Sequence, residues 1–128
     1  MKNWEKAQER VAKLFNGKVV PYSGQGKLKG DVTTKNCLIE VKETTNLWFT
    51  VTAEMLDKIS EEAWVAKKVP VLVIELGNGS LLVVVNILPC FMQNDKKSIK
   101  LTEKDIGRVI GLGKHSWRIL SEDHYSEI

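Results

Sequence analysis

The 128-residue chain has few of the residues that would tie it together covalently or carry it through a membrane. Its two cysteines, Cys37 and Cys90, stand 53 positions apart, outside any Cys-x-x-Cys or Cys/His cluster. That spacing argues against a disulfide scaffold and against structural zinc, and both thiols are expected to be buried in a reducing compartment. The longest uninterrupted apolar run is Leu81 to Val85, far short of the ~18 residues a membrane span needs. The first ten residues, MKNWEKAQER, are charged throughout. Lacking the apolar stretch of a secretion signal, they lead us to expect a cytoplasmic location with no membrane partner. His115 and His124 lie nine positions apart with no shared helical or strand register, so neither is assigned a ligand or base role.

What is present suits an ordinary globular protein, with 43% hydrophobic and 27% charged residues. The length fits one domain, residues 1–128, with a core that needs no staples. Net charge is only +3, but residues 1–30 carry seven Lys/Arg against two acids, while the last eight, SEDHYSEI, carry three acids and no base. A basic front half with an acidic tail suggests that one face meets a polyanion, the alternative being a solvated charged surface.

Hydrophobic periodicity predicts a helix over 3–15, with Trp4, Ala7, Val11, Leu14 and Phe15 on one face and Asn16-Gly17 at its end. A short strand, Val19-Val20-Pro21, follows. Asp31–Thr34 and Cys37–Glu43 read as a hairpin around Lys35-Asn36. A second helix is expected over 52–67, capped by Thr52, with acids in its first turn and Lys67 and Lys68 in its last. The runs VPVLVIEL and LLVVV read as buried strands joined at Gly77-Asn78-Gly79. Beyond Asn86 the expectation is a short helix near Ile87–Met92, a polar loop QNDKKS, a helix near 103–110 capped by Thr102, and a strand SWRIL. The order implies an α/β fold, a mixed sheet with helices packed against it.

The stretch SGQGKLKGDV, residues 23–32, holds three glycines, two lysines and then an aspartate. A dinucleotide fingerprint needs GxGxxG between a strand and a helix, so that pyrophosphate meets helical N–H groups. Here the glycines fall at 24, 26 and 30, one residue too far apart, and a strand follows them. A GxxxxGK[ST] loop is absent as well. What remains is a basic loop that ends at Asp31, nine residues before Glu40-Val41-Lys42. The strand period of two puts Glu40 and Lys42 on one face and turns Ile39 and Val41 inward. An acid-x-lysine pattern on a strand is most often a solvated face. With Asp31 opening the partner strand, however, two carboxylates converge, and with the Val41 carbonyl they would suffice for Mg²⁺, which keeps several waters. Lys42 beside such an ion could position the attacking water and stabilise charge developing on a phosphate.

With Gly30-Asp31 and Glu40-Val41-Lys42 as its two half-motifs, the chain resembles the PD-(D/E)xK nuclease superfamily. It is most similar to Holliday junction resolvases of the archaeal and phage type, through AQERVAKLF, VVPYSGQGKLKGDV, the IEVKET strand, a helix ending in EA and the PVLVIEL strand. The likeness covers about residues 5–76; Gly30 stands where the superfamily name has proline. It implies a restriction-endonuclease-like core over about 5–86, elaborated by 87–128. It further implies a Mg²⁺-dependent endonuclease, with Mn²⁺ able to substitute, that acts as a homodimer on branched double-stranded DNA in recombination or repair. The site residues it implies are Asp31 and Glu40 as metal ligands, Lys42 at the water or scissile phosphate, and Ser23 at the cleaved strand. A helix acid of that family falls most naturally on Glu9, with Glu5 and Gln8 as alternatives. Lys18, Ser23, Gln25, Lys27, Lys29 and Thr44 are the expected DNA contacts, the loop glycines letting the main chain approach closely. A flap, fork or duplex nuclease, or a non-catalytic DNA-binding module, is the alternative.

Other residues have two readings each. Trp48 and Phe49 are expected to pack under the second helix, and stacking on an unpaired base is the alternative. Trp64 is expected in the core, an interface position being the other reading. Thr44 and Thr45 contact phosphate or only end their strand.

Overall fold

The computed structural model describes residues 3–20, 31–87 and 96–123. Its main element is a seven-stranded sheet. In chain order the strands are β1 (Lys18–Val19), β2 (Val32–Thr33), β3 (Cys37–Glu43), β5 (Val69–Glu75), β6 (Leu81–Ile87), β8 (Val109–Leu112) and β9 (His115–Ser121). The spatial order is β1-β2-β3-β5-β6-β9-β8, and β4 (Trp48–Thr52) pairs with β7 (Ser98–Thr102) in a separate two-stranded ribbon. Among the described strands only β3 and β5 run parallel. Parallel neighbours need a crossover, and β4 with the helix α2 (Ala53–Val65) supplies it.

The sheet is covered on both faces. Helix α1 (Asn3–Leu14) lays Val11 and Ala12 against Ile39, Val71, Val73 and Val83. On the other face Leu56 and Ile59 of α2, with Val51 and Leu101 of the ribbon, pack on Leu72, Ile74, Leu82, Val84 and Trp117. Strands β5 and β6 are therefore buried on both sides, which is why they read as unbroken apolar runs. Arg10 anchors α1: its guanidinium donates to the Gly79 carbonyl at 2.8 Å and pairs with Glu75 at 3.3 Å and Glu122 at 3.1 Å.

Helix α1 ends at Asn16-Gly17 as expected, whereas α2 ends earlier than expected. The left-handed residue after α1 is Asn16 (φ 54°), and after α2 it is Lys67 (φ 59°), so α2 stops at Val65 rather than 67. Gly17 is needed for proximity instead: a Cβ there would lie 2.6 Å from the Thr33 carbonyl oxygen. Thr52 caps α2 as expected, its hydroxyl accepting from the Met55 N–H at 3.1 Å.

Gly77 sets a tighter constraint. Its N–H donates to the Asn46 carbonyl at 2.7 Å, and a Cβ would stand 2.1 Å from the Thr45 carbonyl oxygen. The loop after β3 is thus clamped to the turn after β5, fixing the carboxyl end of the strand that carries Glu40 and Lys42. Gly77→Ala should cost about 1–3 kcal/mol in chemical denaturation. Wild-type stability in that variant would mean that the two loops separate freely.

Three expectations for the later chain need correction or lie out of view. Residues 103–110 are not a helix: a 3-10 turn at Glu103–Asp105 leads into β8. Gly107 (φ 93°) and Gly113 (φ 68°) frame a strand segment, and glycine-rich spacing of this kind suits turns better than a helix. Thr102 does cap, but it caps the 3-10 turn, in a box completed by Asp105. Ile87 belongs to β6, and the remainder of the helix expected at Ile87–Met92 lies outside the described residues, as does Cys90. Strands β4 and β7 were not foreseen. Phe49 packs against the core, but Trp48 is exposed, with Lys100 over its ring at 4.6 Å. Trp64 is 41% exposed and meets His115 edge-on at 4.7 Å, while Trp117 is fully buried.

Candidate active site

The site begins with a row across three strands. The registers Val19↔Val32 and Val32↔Ile39, carried one residue further, set Val20, Asp31 and Glu40 side by side. Hydrogen bonds hold the middle member from both sides: Val20 N–H donates to the Asp31 carbonyl at 2.9 Å, and Asp31 N–H to the Ile39 carbonyl at 3.0 Å. The Asp31 side chain is 9% exposed, and its Oδ2 accepts from the Val41 N–H at 2.8 Å. The Val41 N–H thus holds one oxygen of this carboxylate in place.

Glu40 and Lys42 leave β3 on the side of α2, opposite Ile39, and Lys42 Nζ stands 3.8 Å from Glu40 Oε1. Burial, and after it the negative Asp31, push the Glu40 carboxyl up to about 7, with Lys42 pulling the other way. Asp31 is therefore close enough to oppose the ionisation of Glu40, as a carboxylate does when it shares one small region with another.

A groove of about 250 Å³ opens beside them, between β3 and α2. Met55 and Ile59 form its apolar part; Glu40, Lys42, Thr52, Glu54, Lys58 and Glu62 supply the polar lining. Glu62 and Lys58 both act on the Glu40 charge. The α2 charges were missed in the sequence, although a signal existed: Glu54, Lys58 and Glu62 recur every four residues, which puts them on one helix face.

The remaining expected residues fall in different places. Ser23, Gln25, Lys27 and Lys29 lie outside the described residues. Lys18 is exposed on β1 opposite Thr33. Glu9 is exposed on α1, the helix that covers the other sheet face, and it is not among the groups acting on Glu40. Gln8 on the same helix is half-buried. Thr44 lies past β3, where its hydroxyl accepts from the Asn46 N–H at 3.1 Å, in a second groove shared with Lys6, Glu43 and Gly77. Cys37 is buried, and burial raises its thiol pKa, which suits a packing role.

Among the described residues no group of three or more His, Cys, Asp or Glu is gathered as a metal cage. The donor set nevertheless fits a hard dication. Asp31 and Glu40 offer only oxygen, Mg²⁺ accepts two carboxylates and completes its shell with water, and a dication would relieve the strain between the two acids. No helix among the described residues is long and apolar enough to cross a membrane.

No protein-family model and no curated protein sequence matches the chain. Among solved structures it is similar to Hjc of Archaeoglobus fulgidus, a Holliday junction resolvase from an archaeal hyperthermophile. The TM-score is 0.54 at 13% sequence identity, over 80% of this chain and 86% of that one. At this identity the likeness is one of fold. The chain has an α/β mixed sheet flanked by helices, consistent with the restriction-endonuclease-like fold of that resolvase.

Proposed function

We propose that the protein is a Mg²⁺-dependent endonuclease that resolves four-way DNA junctions by paired hydrolytic nicks, leaving 5′-phosphate and 3′-hydroxyl ends. The observation that carries this reading is the close set of Asp31, Glu40 and Lys42 on neighbouring strands, with Lys42 Nζ 3.8 Å from Glu40 Oε1. The fold shared with a Holliday junction resolvase supports the choice of substrate.

Asp31 and Glu40 would hold the ion, with the Val41 carbonyl as a further oxygen; Glu9, on the helix across the sheet, takes no part in this set. Bound there, Mg²⁺ supplies a polarised water and neutralises phosphate charge. The Lys42 ammonium, kept beside the acids by Glu40, stabilises the negative charge that builds on the phosphate oxygens as water adds and the bond to the 3′ oxygen breaks. The basic residues Lys18, Lys27 and Lys29, with Ser23, Gln25 and Thr44, would contact the backbone of the branched DNA. Cutting two opposed strands calls for two sites, hence a homodimer.

The test is a substrate panel. Purified protein with Mg²⁺ should nick a synthetic four-way junction symmetrically, and cut flap, fork and linear duplex more slowly. Preference for one of those others would keep the nuclease and change its substrate. Binding without cleavage, unaltered by loss of Asp31 and Glu40, would make the chain a DNA-binding module instead.

A further inference from the structure

The α2 wall of the groove carries a cation that the fold leaves unused. Glu54, Lys58 and Glu62 stand one helical turn apart. A glutamate four residues before a lysine is the favoured order for a helical ion pair. Lys58 nevertheless makes no ion pair or hydrogen bond with any described residue, and it is exposed on the groove lining. Its charge is felt across the groove, at Glu40. A lysine committed to solubility would be expected to point away from the cleft or to pair along its own helix; this one does neither. Facing it, Lys42 lines the same groove from β3, and Met55 and Ile59 of α2 give the groove its apolar lining.

We infer that Lys58 is a substrate-binding residue: the groove between β3 and α2 receives the DNA strand beside the cleaved bond, and the Lys58 ammonium binds a phosphate there. The inference rests on the nuclease reading above and adds to it the path of the strand. Lys42 and Lys58 then hold neighbouring phosphates from opposite walls. The apolar lining suits a sugar face, while Glu54 and Glu62 repel backbone one turn to either side of Lys58. Those flanking acids make the contact selective for one register, because a phosphate is tolerated only where the ammonium stands.

The experiment compares wild type, Lys58→Ala, Lys58→Arg and Lys104→Ala, the last an exposed lysine outside the groove. Junction binding is measured across a salt series, and steady-state cleavage with Mg²⁺ alongside it. Lys58→Ala should raise KM about tenfold and leave kcat within about twofold, with an unchanged melting temperature. The slope of log affinity against log salt should fall by about 0.9, the loss of one phosphate contact. Lys58→Arg should restore both values, and Lys104→Ala should match wild type. If wild type cuts junctions while Lys58→Ala keeps its KM and salt slope, this inference is overturned and the nuclease reading stands. If wild type neither binds nor cuts DNA, both are overturned.

Discussion

Glu40→Gln should abolish metal-dependent cleavage and at the same time stabilise the metal-free protein. Both effects come from the same carboxyl. It titrates at about 7 in the folded chain against an ordinary 4.5, because burial and the adjacent Asp31 disfavour its charge. The folded state therefore holds this proton more tightly than the unfolded state does. The associated stability is fully present below about 4.5 and is lost as pH rises through about 7. At pH 8 the metal-free wild type should stand about 3 kcal/mol below its stability at pH 4 from this group alone. Glutamine keeps the shape and carries no charge, so it escapes the penalty. The melting temperatures of the two proteins should coincide at pH 4 and diverge by roughly 10 °C at pH 8. Adding Mg²⁺ at pH 8 should raise the wild type and leave Glu40→Gln where it was. Equal melting curves for both proteins at pH 8 would show that Glu40 carries no such strain, and cleavage by Glu40→Gln would remove it from the reaction. A group that destabilises its own fold without a ligand is what a binding site, rather than a structural ion pair, leads one to expect.

How far the chain could be read in advance follows from which interactions are local. The hairpin 31–43, both helices and the strands VPVLVIEL and LLVVV were visible because one period, 2 or 3.6, held through each. The strand SWRIL was legible too, within β9, but segment 103–110 was misread for a specific reason. IGRVIGLGK has helix-like apolar spacing but glycines at 107, 111 and 113, and pairing with β9 decides in favour of strand. Ribbon β4–β7 joins residues about 50 positions apart, and nothing in WFTVT alone announces SIKLT as its partner. In the site, Asp31, Glu40 and Lys42 were legible from spacing, since one hairpin register fixes all three. The opposite wall was not: Glu54, Lys58 and Glu62 look like an ordinary solvated stripe until α2 is folded back over β3. Glu9 illustrates the converse, a residue expected from family resemblance on a helix that packs against the other face of the sheet.

Asp31 allows the metal-binding and structural parts of the site to be separated. Its Oδ2 accepts from the Val41 N–H at 2.8 Å while the side chain is 9% exposed, so removing the carboxylate orphans a backbone donor on the strand that carries Glu40 and Lys42. Asp31→Ala should therefore lose about 1–3 kcal/mol of stability along with all Mg²⁺-induced stabilisation. Asp31→Asn retains an oxygen for Val41 and discards only the charge. It should fold as wild type does and lose the response to Mg²⁺. It should also lower the Glu40 carboxyl toward its ordinary range, because one of the two leading causes of its elevation is gone. In Asp31→Asn the decline in stability between pH 4 and pH 8 should thus be smaller than in wild type, a change that a purely structural aspartate would not produce. Melting curves of the three proteins across that pH interval, with and without Mg²⁺, read all of this at once. A Mg²⁺ response that survives in Asp31→Asn would mean that the ion, if any, sits elsewhere. An unchanged pH dependence would mean that the two carboxylates do not share a site.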